Sequence, residues 1–196
     1  MAKRGVVVPA ARAAGVLPIA HRGGSVDHWP MSSTTFATCD LCDAHEEDTS
    51  GAFRVLPPVF RDYGRAGKFS GAVSTLRCRE DNSRVREAVN SPGQGRVLVV
   101  DGGGSTRRAL VGGILARAAA ANGWAGIVVD GAVRDAAELA ACGIGVKALA
   151  LMPLRSAKRN EGQRDLAVDI QGVPVRPGDW LYADEDGIVV SATPLL

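Results

Sequence analysis

The 196-residue sequence predicts an α/β fold with mixed sheets, and three features of the chain support this prediction. Two continuous apolar runs, RVLVVD at 96–101 and GIVVD at 126–130, have the length of buried strands, and an alanine-rich segment separates them. This strand, helix, strand order is typical of a parallel pair. After residue 165, short apolar runs alternate with sharp polar turns, as in antiparallel strands. Because 46% of the residues are hydrophobic, the chain can bury one sizeable core.

The first half of the chain predicts two strands and three helices. SGAVSTLRC alternates polar and apolar residues like a half-buried strand, and SPGQG closes the helix that follows it. Gly-Gly-Gly-Ser after the first apolar run is expected to open a helix, for which Asn122-Gly123 is a suitable C-cap. The predicted elements are, in order, helix 38–47, strand 70–78, helix 83–90, strand 96–101 and helix 106–121.

The second half predicts mainly short strands. A helix that ends at Ala141 follows GIVVD, and Arg-Pro-Gly-Asp and Asp-Glu-Asp-Gly supply sharp turns near the end of the chain. The predicted strands after this helix are 146–151, 166–170, 173–175, 180–183 and 188–191.

Charge and composition exclude several classes of protein. Residues 31–196 contain 19 basic and 20 acidic residues, so the body of the chain lacks the basic field of a nucleic-acid binder. No apolar run reaches the roughly 18 residues that span a bilayer, so we expect no membrane span. Cys39 and Cys42 form a lone Cys-x-x-Cys pair without a second pair, which favours reduced thiols in a cytoplasmic protein over a zinc site.

The first 33 residues differ from the rest. They begin with basic residues and contain scattered apolar residues, but Pro9, Arg12 and Pro18 interrupt any signal-peptide core. We expect residues 1–33 to be a disordered extension, or to precede a true start at Met31. The single folded domain is then expected at 34–196.

Two junctions between a predicted strand and a predicted helix are candidate ligand sites. They read DGGGSTRRALVGG and DGAVRDAAEL. Ligands of open α/β sheets lie beyond the carboxyl ends of strands, where helix N-termini offer free N–H donors. The first junction lacks the Gly-Lys-Ser/Thr ending of a P-loop, and no Gly-x-Gly-x-x-Gly register fits a Rossmann site, so we expect no nucleotide cofactor.

Arg134 and Asp135 lie side by side at the second junction. A carboxylate is favourable at a helix N-terminus, whereas an arginine is repelled by the same helix dipole. We therefore expect an anion close to Arg134 that compensates this repulsion. In one arrangement Asp135 binds a divalent cation while Arg134 holds a substrate carboxylate or a developing oxyanion. An Arg-Asp surface pair without any chemistry remains the alternative.

Longer motifs resemble a known family. DNSRVREAV, GRVLVVDGGGSTRRALVGGILARAAAANGWAGIVVDGAVRD, GIGVKALA and GVPVRPGDWLYADEDGIVV closely resemble the regulator of ribonuclease activity A and the class II 4-hydroxy-4-methyl-2-oxoglutarate aldolases. The resemblance covers Thr38 to Pro194. It implies a swivelling β/β/α domain, assembled as a ring-shaped homotrimer with sites between subunits.

The resemblance implies one of two functions. In the aldolase branch it implies divalent-metal-dependent cleavage of 4-hydroxy-4-methyl-2-oxoglutarate to two pyruvates, with oxaloacetate decarboxylation through the same pyruvate enolate. In the regulator branch it implies a non-catalytic protein that binds and inhibits ribonuclease E. The regulators typically lack the aspartate of the Arg-Asp pair, whereas this chain keeps Asp135, which favours the aldolase.

The resemblance also implies roles for individual residues. Asp135 would be the one direct protein ligand to Mg²⁺ or Mn²⁺, and Arg134 would stabilise the enolate oxygen. The backbone contact to the carboxylate of a small 2-keto acid would come from Gly112, Gly113, Ile114 and Leu115. A Schiff-base route would instead need a buried lysine, and only Lys147 lies in a predicted strand, where it can also face solvent.

One position departs from the aldolase pattern, which places an acidic residue where this chain has Gly113. Loss of a positioned acid or base typically costs about 10²- to 10⁴-fold in rate. Glu138, or an acidic residue of a neighbouring subunit, could take its place. The candidates from a neighbouring subunit are Glu46, Glu47 and Asp48, for which a solvated helix end is the alternative interpretation.

Overall fold

The computed structural model describes residues 35–196, so the expected extension at 1–33 lies outside the described residues and its boundary stays a prediction. The helices are α1 (Thr38–Ala44), α2 (Ser83–Val89), α3 (Gly113–Ala121) and α4 (Ala136–Ala141). The first six strands are β1 (Phe53–Val55), β2 (Arg61–Asp62), β3 (Phe69–Arg77), β4 (Val97–Val111), β5 (Gly126–Val133) and β6 (Gly145–Leu151). The others are β7 (Gln163–Arg164), β8 (Val168–Ile170), β9 (Val173–Val175), β10 (Trp180–Ala183) and β11 (Ile188–Ser191).

A nine-stranded mixed sheet forms the centre of the fold. Its order is β1-β11-β10-β3-β4-β5-β6-β2, with β7 paired to β3, and β8 and β9 form a separate two-stranded sheet. The strands β3, β4, β5 and β6 are parallel neighbours, whereas β10 and β11 pair in antiparallel fashion. The prediction of an α/β fold with mixed sheets, a parallel centre and an antiparallel end is confirmed.

The continuous apolar run of β4 is buried on both faces of the sheet. Leu98 and Val100 pack into a cluster with residues of α2, α3 and α4, and Val97 and Val99 pack into a second cluster with residues of β8 to β11. All four side chains have no exposed surface. Helices therefore cover one face and strands the other, and this is why the run lacks the polar alternation of a half-exposed strand.

The predicted helix at 106–121 is wrong over its first seven residues, because β4 continues to Val111 and α3 begins at Gly113. The glycine run is a bulge within the strand, since Gly103 and Gly104 have φ values of 63° and 68°. Asp101 and Asp130 accept the N–H groups of Gly103 and Gly104, each at 3.0 Å. Pairing with β5 then resumes up to Val111, so tertiary pairing overrides local helix propensity.

The remaining differences concern short elements. The sequence prediction missed β1, β2 and β7, which have only two or three residues. Among the strands described, β1 and β2 are the two edge strands of the large sheet, and β7 pairs only with β3. Such strands form because a neighbouring strand offers free backbone groups, which no local pattern reports. The predicted strands at 173–175, 180–183 and 188–191 are confirmed with the same bounds. Over residues 35–196, no helix is both long and apolar enough to cross a membrane.

Candidate active site

A cavity of about 280 Å³ lies beyond the carboxyl ends of β4 and β5, where α3 and α4 begin. Both predicted catalytic residues line it, together with backbone and side chains from α2, α3 and the loop after β6. The lining residues are Asn82, Ser83, Arg86, Ala109, Val111, Gly112, Ile114, Leu115, Arg134, Asp135, Arg155, Ser156, Lys158 and Asn160.

Asp135 precedes α4 but connects to the start of α3. Its backbone is left-handed, with φ 62° and ψ 49°, and its side chain makes no capping hydrogen bond to its own helix. Instead, Asp135 Oδ2 accepts the N–H of Gly113 at 3.2 Å. A left-handed non-glycine residue costs on the order of 1 kcal/mol, and such strain is concentrated at functional sites. The Asp135 side chain keeps 33% of its surface exposed, so it is accessible from the cavity.

Arg134 is positioned by its backbone rather than by its charged group. Its N–H donates to the carbonyl of Val111 at 3.0 Å, which continues the pairing between β4 and β5. The guanidinium Nε lies 3.5 Å from Asp135 Oδ2, beyond the usual length of a charge-assisted hydrogen bond. Its donors therefore remain available to a ligand in the cavity. Arg134 and Asp135 both line the cavity, and their catalytic roles stay a prediction.

A side chain at either of the two glycines that precede Ile114 would collide with a neighbouring side chain. A Cβ on Gly112 would lie 2.5 Å from Asp135 Oδ2 and 3.1 Å from Arg134 Cγ. A Cβ on Gly113 would overlap the carboxylate of Glu138. Gly112, Ile114 and Leu115 line the cavity as expected, whereas Gly113 lies beside it. Their predicted contact with a substrate carboxylate stays a prediction.

Glu138 occupies the space that a side chain at position 113 would need. Its Oε2 accepts a hydrogen bond from Arg117 Nη1 at 2.7 Å, and both residues line a groove next to the cavity rather than the cavity itself. The two side chains are 50% and 56% exposed, so the pair contributes about 1 kcal/mol or less and is easily broken.

The other acidic candidates follow α1, away from the cavity of the same chain. Glu46 and Glu47 are exposed, as expected for a solvated helix end. Asp48 accepts the N–H groups of Ser50 at 2.7 Å and Phe53 at 2.9 Å. Hydrogen bonds from Ser50 and Phe53 hold the pKa of Asp48 below its usual range, so it is an ionised loop residue.

Sequence reasoning missed the residues that α2 and the loop after β6 contribute. The loop sequence LRSAKRN at 154–160 supplies Arg155 and Lys158, and α2 supplies Arg86. The available signal was a segment rich in basic residues shortly after the predicted strand 146–151, because ligands of α/β sheets bind beyond the carboxyl ends of strands. Nothing in the local sequence places α2 beside this loop.

Asp81 joins the loop to α2. Asp81 is fully buried. One of its carboxylate oxygens accepts the backbone N–H of Ser83 at 2.8 Å, and the other accepts the backbone N–H of Arg159. Burial opposes ionisation, but hydrogen bonds from Ser83 and Arg159 outweigh it and hold the pKa of Asp81 below its usual range. The ionised Asp81 therefore fixes the loop backbone against the start of α2.

The cavity is strongly cationic. Arg86, Arg134, Arg155 and Lys158 line it, and Asp135 is the one carboxylate among the lining residues. Residues 35–196 contain no group of three or more ligand-type side chains that could enclose a metal ion. Mg²⁺ is commonly bound through one or two carboxylates together with water and substrate oxygens, so a single aspartate fits an ion that binds together with an anionic substrate.

Lys147 does not face solvent, which corrects that expectation. Only 2% of its surface is exposed, and its Nζ lies 2.8 Å from Asp62 Oδ2 on the neighbouring strand β2. It does not line the cavity, so its position gives no support to a Schiff-base route.

The fold and the cavity define a mixed α/β protein with a cavity lined by basic residues at the carboxyl edge of its parallel strands. Residues 38–190 match the RraA-like family model, described as Aldolase/RraA, and the chain belongs to this family. A relative from Albidiferax ferrireducens, provisionally named 4-hydroxy-4-methyl-2-oxoglutarate aldolase, is 65% identical over 170 residues, covering 83% of this chain and 98% of the relative.

Two solved structures are also similar. The RNA-processing inhibitor RraA from Thermus thermophilis is 47% identical with a TM-score of 0.78, covering 83% of this chain and 96% of that one. A protein from Geobacillus kaustophilus named S-adenosylmethionine:2-dimethylmenaquinone methyltransferase is 42% identical with a TM-score of 0.77, covering 82% and 97%. These likenesses support the expected family and the mixed-sheet fold.

Proposed function

We propose that this protein is a divalent-metal-dependent lyase that cleaves 4-hydroxy-4-methyl-2-oxoglutarate into two pyruvates. The observation that carries the proposal is the convergence of Arg134 and Asp135 with the start of α3 in one cation-lined cavity. The name of the relative that is 65% identical supports this choice of reaction. A secondary decarboxylation of oxaloacetate would pass through the same pyruvate enolate.

The reaction breaks the bond between C3 and C4 of the substrate. The 4-hydroxyl group loses its proton and becomes the keto group of one pyruvate, while the bonding electron pair leaves on C3 as an enolate. A proton added to C3 then gives the second pyruvate. The guanidinium of Arg134 would stabilise the negative charge that develops on the C2 oxygen.

Asp135 would hold Mg²⁺ or Mn²⁺ against the keto acid. When bound, such an ion supplies a Lewis acid that polarises the C2 carbonyl. The backbone at Gly112 to Leu115 would orient the substrate carboxylate next to Asp135. Because Asp135 and the α3 backbone would hold the metal ion and the carboxylate, Arg134 would be free to stabilise the negative charge on the enolate oxygen.

The proton of the 4-hydroxyl group needs an acceptor that Gly113 does not supply. Glu138 is one candidate, because its carboxylate lies against Gly113 and its pair with Arg117 is solvent-exposed. Glu46, Glu47 or Asp48 of a neighbouring subunit is the other candidate.

A homotrimer with sites between subunits is part of the proposal. Ile114 in α3, Leu151 at the end of β6 and Leu154 in the loop after β6 are 65%, 49% and 51% exposed. Exposed apolar side chains beside a polar site are typical of a surface that another subunit covers. A partner there would also exclude water from the cavity.

A second candidate is the non-catalytic regulator that binds and inhibits ribonuclease E, and the solved RNA-processing inhibitor at 47% identity favours it.

The test is pyruvate release from 4-hydroxy-4-methyl-2-oxoglutarate and from oxaloacetate, coupled to lactate dehydrogenase, with Mg²⁺ and with EDTA. We expect EDTA to stop the reaction and Asp135→Ala to lower kcat/KM by about 10²-fold or more. Asp43→Ala is the matched control, because Asp43 is an exposed residue of α1 outside the cavity. Pyruvate release that persists both in EDTA and in the Asp135→Ala variant would overturn the proposal. A silent protein that slows purified ribonuclease E equally with and without EDTA would establish the regulator.

A further inference from the structure

We propose that Arg86, Arg155 and Lys158 form a distal anion subsite in the cavity. It would receive a carboxylate remote from the reacting keto group and thereby select dianionic 2-keto acids over monoanionic ones. The identity of the reacting end rests on the proposed function. The distal anion subsite itself rests on the charges and contacts of the cavity.

Among residues 35–196, the three cations of this subsite have no carboxylate partner. Within the part of the chain that the structure describes, none of them lies within 4.0 Å of an Asp or Glu oxygen. Neighbouring basic residues do have partners, since Arg84 pairs with Glu87 and Arg159 with Glu161. Unpaired cations that share a cavity repel one another, and a bound anion removes that repulsion.

The distal cations come from different elements than the reacting pair. Arg134 and Asp135 lie between β5 and α4, whereas Arg86 belongs to α2 and the other two belong to the loop after β6. One carboxylate of a keto acid would already be held beside Asp135. A second carboxylate on the same molecule would then meet the remaining cations.

The loop that carries Arg155 and Lys158 is anchored on both sides. Ser156 is buried, and its hydroxyl donates to the carbonyl of Ala109 in β4 at 2.6 Å. On the other side, the N–H of Ala157 donates to the carbonyl of Glu80 at 2.9 Å. The backbone next to both cations is therefore fixed before a ligand arrives, which lowers the ordering cost of binding.

The cavity volume suits a small dianion. At about 280 Å³, it is close to the roughly 300 Å³ lower end of small-molecule pockets. With four cationic side chains and one carboxylate, the lining keeps an excess of positive charge even after a monoanion binds. A dianion uses this excess, whereas a monoanion of the same length leaves the distal cations unpaired.

The test compares two unreactive probes with the same five-carbon chain, 2-oxoglutarate with two carboxylates and 2-oxopentanoate with one. Their affinities are measured by isothermal titration calorimetry on the full chain, with Mg²⁺ and again with EDTA. We expect 2-oxoglutarate to bind about tenfold more tightly or better. Arg155→Gln and Lys158→Gln should each reduce this preference severalfold and leave the affinity for 2-oxopentanoate nearly unchanged.

Arg159→Gln is the matched control, because Arg159 is exposed, pairs with Glu161 and lies outside the cavity lining. Equal affinities of the two probes, no binding of either, or a preference that survives both cavity substitutions would overturn the subsite. If the preference behaves as expected but no keto acid is cleaved, the proposed function fails while the distal anion subsite stands.

Discussion

Substitution of Gly112 by alanine tests whether the position of Asp135 controls the reaction. The backbone of Gly112 is extended, with φ −141° and ψ −178°, so alanine is allowed there. Its Cβ would lie 2.5 Å from Asp135 Oδ2, and ordinary contact begins at 3.4 Å, so the oxygen must move by about 0.9 Å. That movement breaks the 3.2 Å hydrogen bond from Gly113 to Asp135.

A displacement of about 1 Å at a reacting group can cost about 10²-fold in rate. We therefore expect Gly112→Ala to lower kcat/KM for metal-dependent pyruvate release by about that factor, while the fold persists. Gly143→Ala is the matched control, because a Cβ there meets no atom within 4 Å. The reasoning is refuted if Gly112→Ala retains kcat/KM within about threefold of the wild type, or if Gly143→Ala loses as much.

Two further predictions concern the missing acid and acid stability. Gly113→Asp alone should lower activity and the melting temperature, because its Cβ would overlap Oε2 of Glu138 and lie 2.5 Å from Cβ of Glu138. The double variant with Glu138→Gly removes both of these atoms and should recover activity, whereas a double variant no more active than the single one would exclude this steric cause. Burial opposes ionisation of Asp184, but hydrogen bonds from Thr38, Asp186 and Gly187 together outweigh it and hold the pKa of Asp184 below its usual range. The contribution of ionised Asp184 to the free energy of unfolding is therefore fully present at pH values above about 3.9, the pKa of an aspartate in the unfolded chain. This contribution is lost as the pH falls through the lower pKa that Asp184 has in the folded protein. Asp184→Asn should cost about 1–3 kcal/mol of unfolding free energy at pH 7 and flatten the acid side of the stability profile, as measured by urea denaturation between pH 7 and pH 2. An unchanged profile would contradict this assignment.

The parallel centre was predictable because its signal is local and strong. The runs at 96–101 and 126–130 are continuous in apolar residues, which is characteristic of strands covered on both faces, and both lie in adjacent parallel strands. The position of the Arg134–Asp135 pair at the carboxyl end of β5 was also predictable, because the pair directly follows such a strand. Its left-handed backbone and its bond to Gly113 were not, since they depend on the neighbouring strand and helix.

The path of the chain between 102 and 112 could not be predicted from local patterns. Thr106 to Val111 reads as an acceptable helix start, yet these residues extend β4. The bulge that precedes them is held by Asp101 and Asp130, and Gln171 donates to Asp130 Oδ1 at 2.6 Å. Gln171 lies far along the chain, so the contact that stabilises this bulge is invisible in a short window of sequence.

The sequence by itself determined which segments are buried on both faces, where the parallel strands end, and which charged pair stands at that edge. These properties follow from apolar periodicity and from residues close together in the chain. Tertiary structure alone decided that the glycine run is a bulge, that Lys147 is buried against Asp62, and that α2 and the loop after β6 add Arg86, Arg155 and Lys158 to the cavity. The physical reason is that each of these outcomes depends on hydrogen bonds or packing between segments distant in sequence, which compete with local propensity and override it.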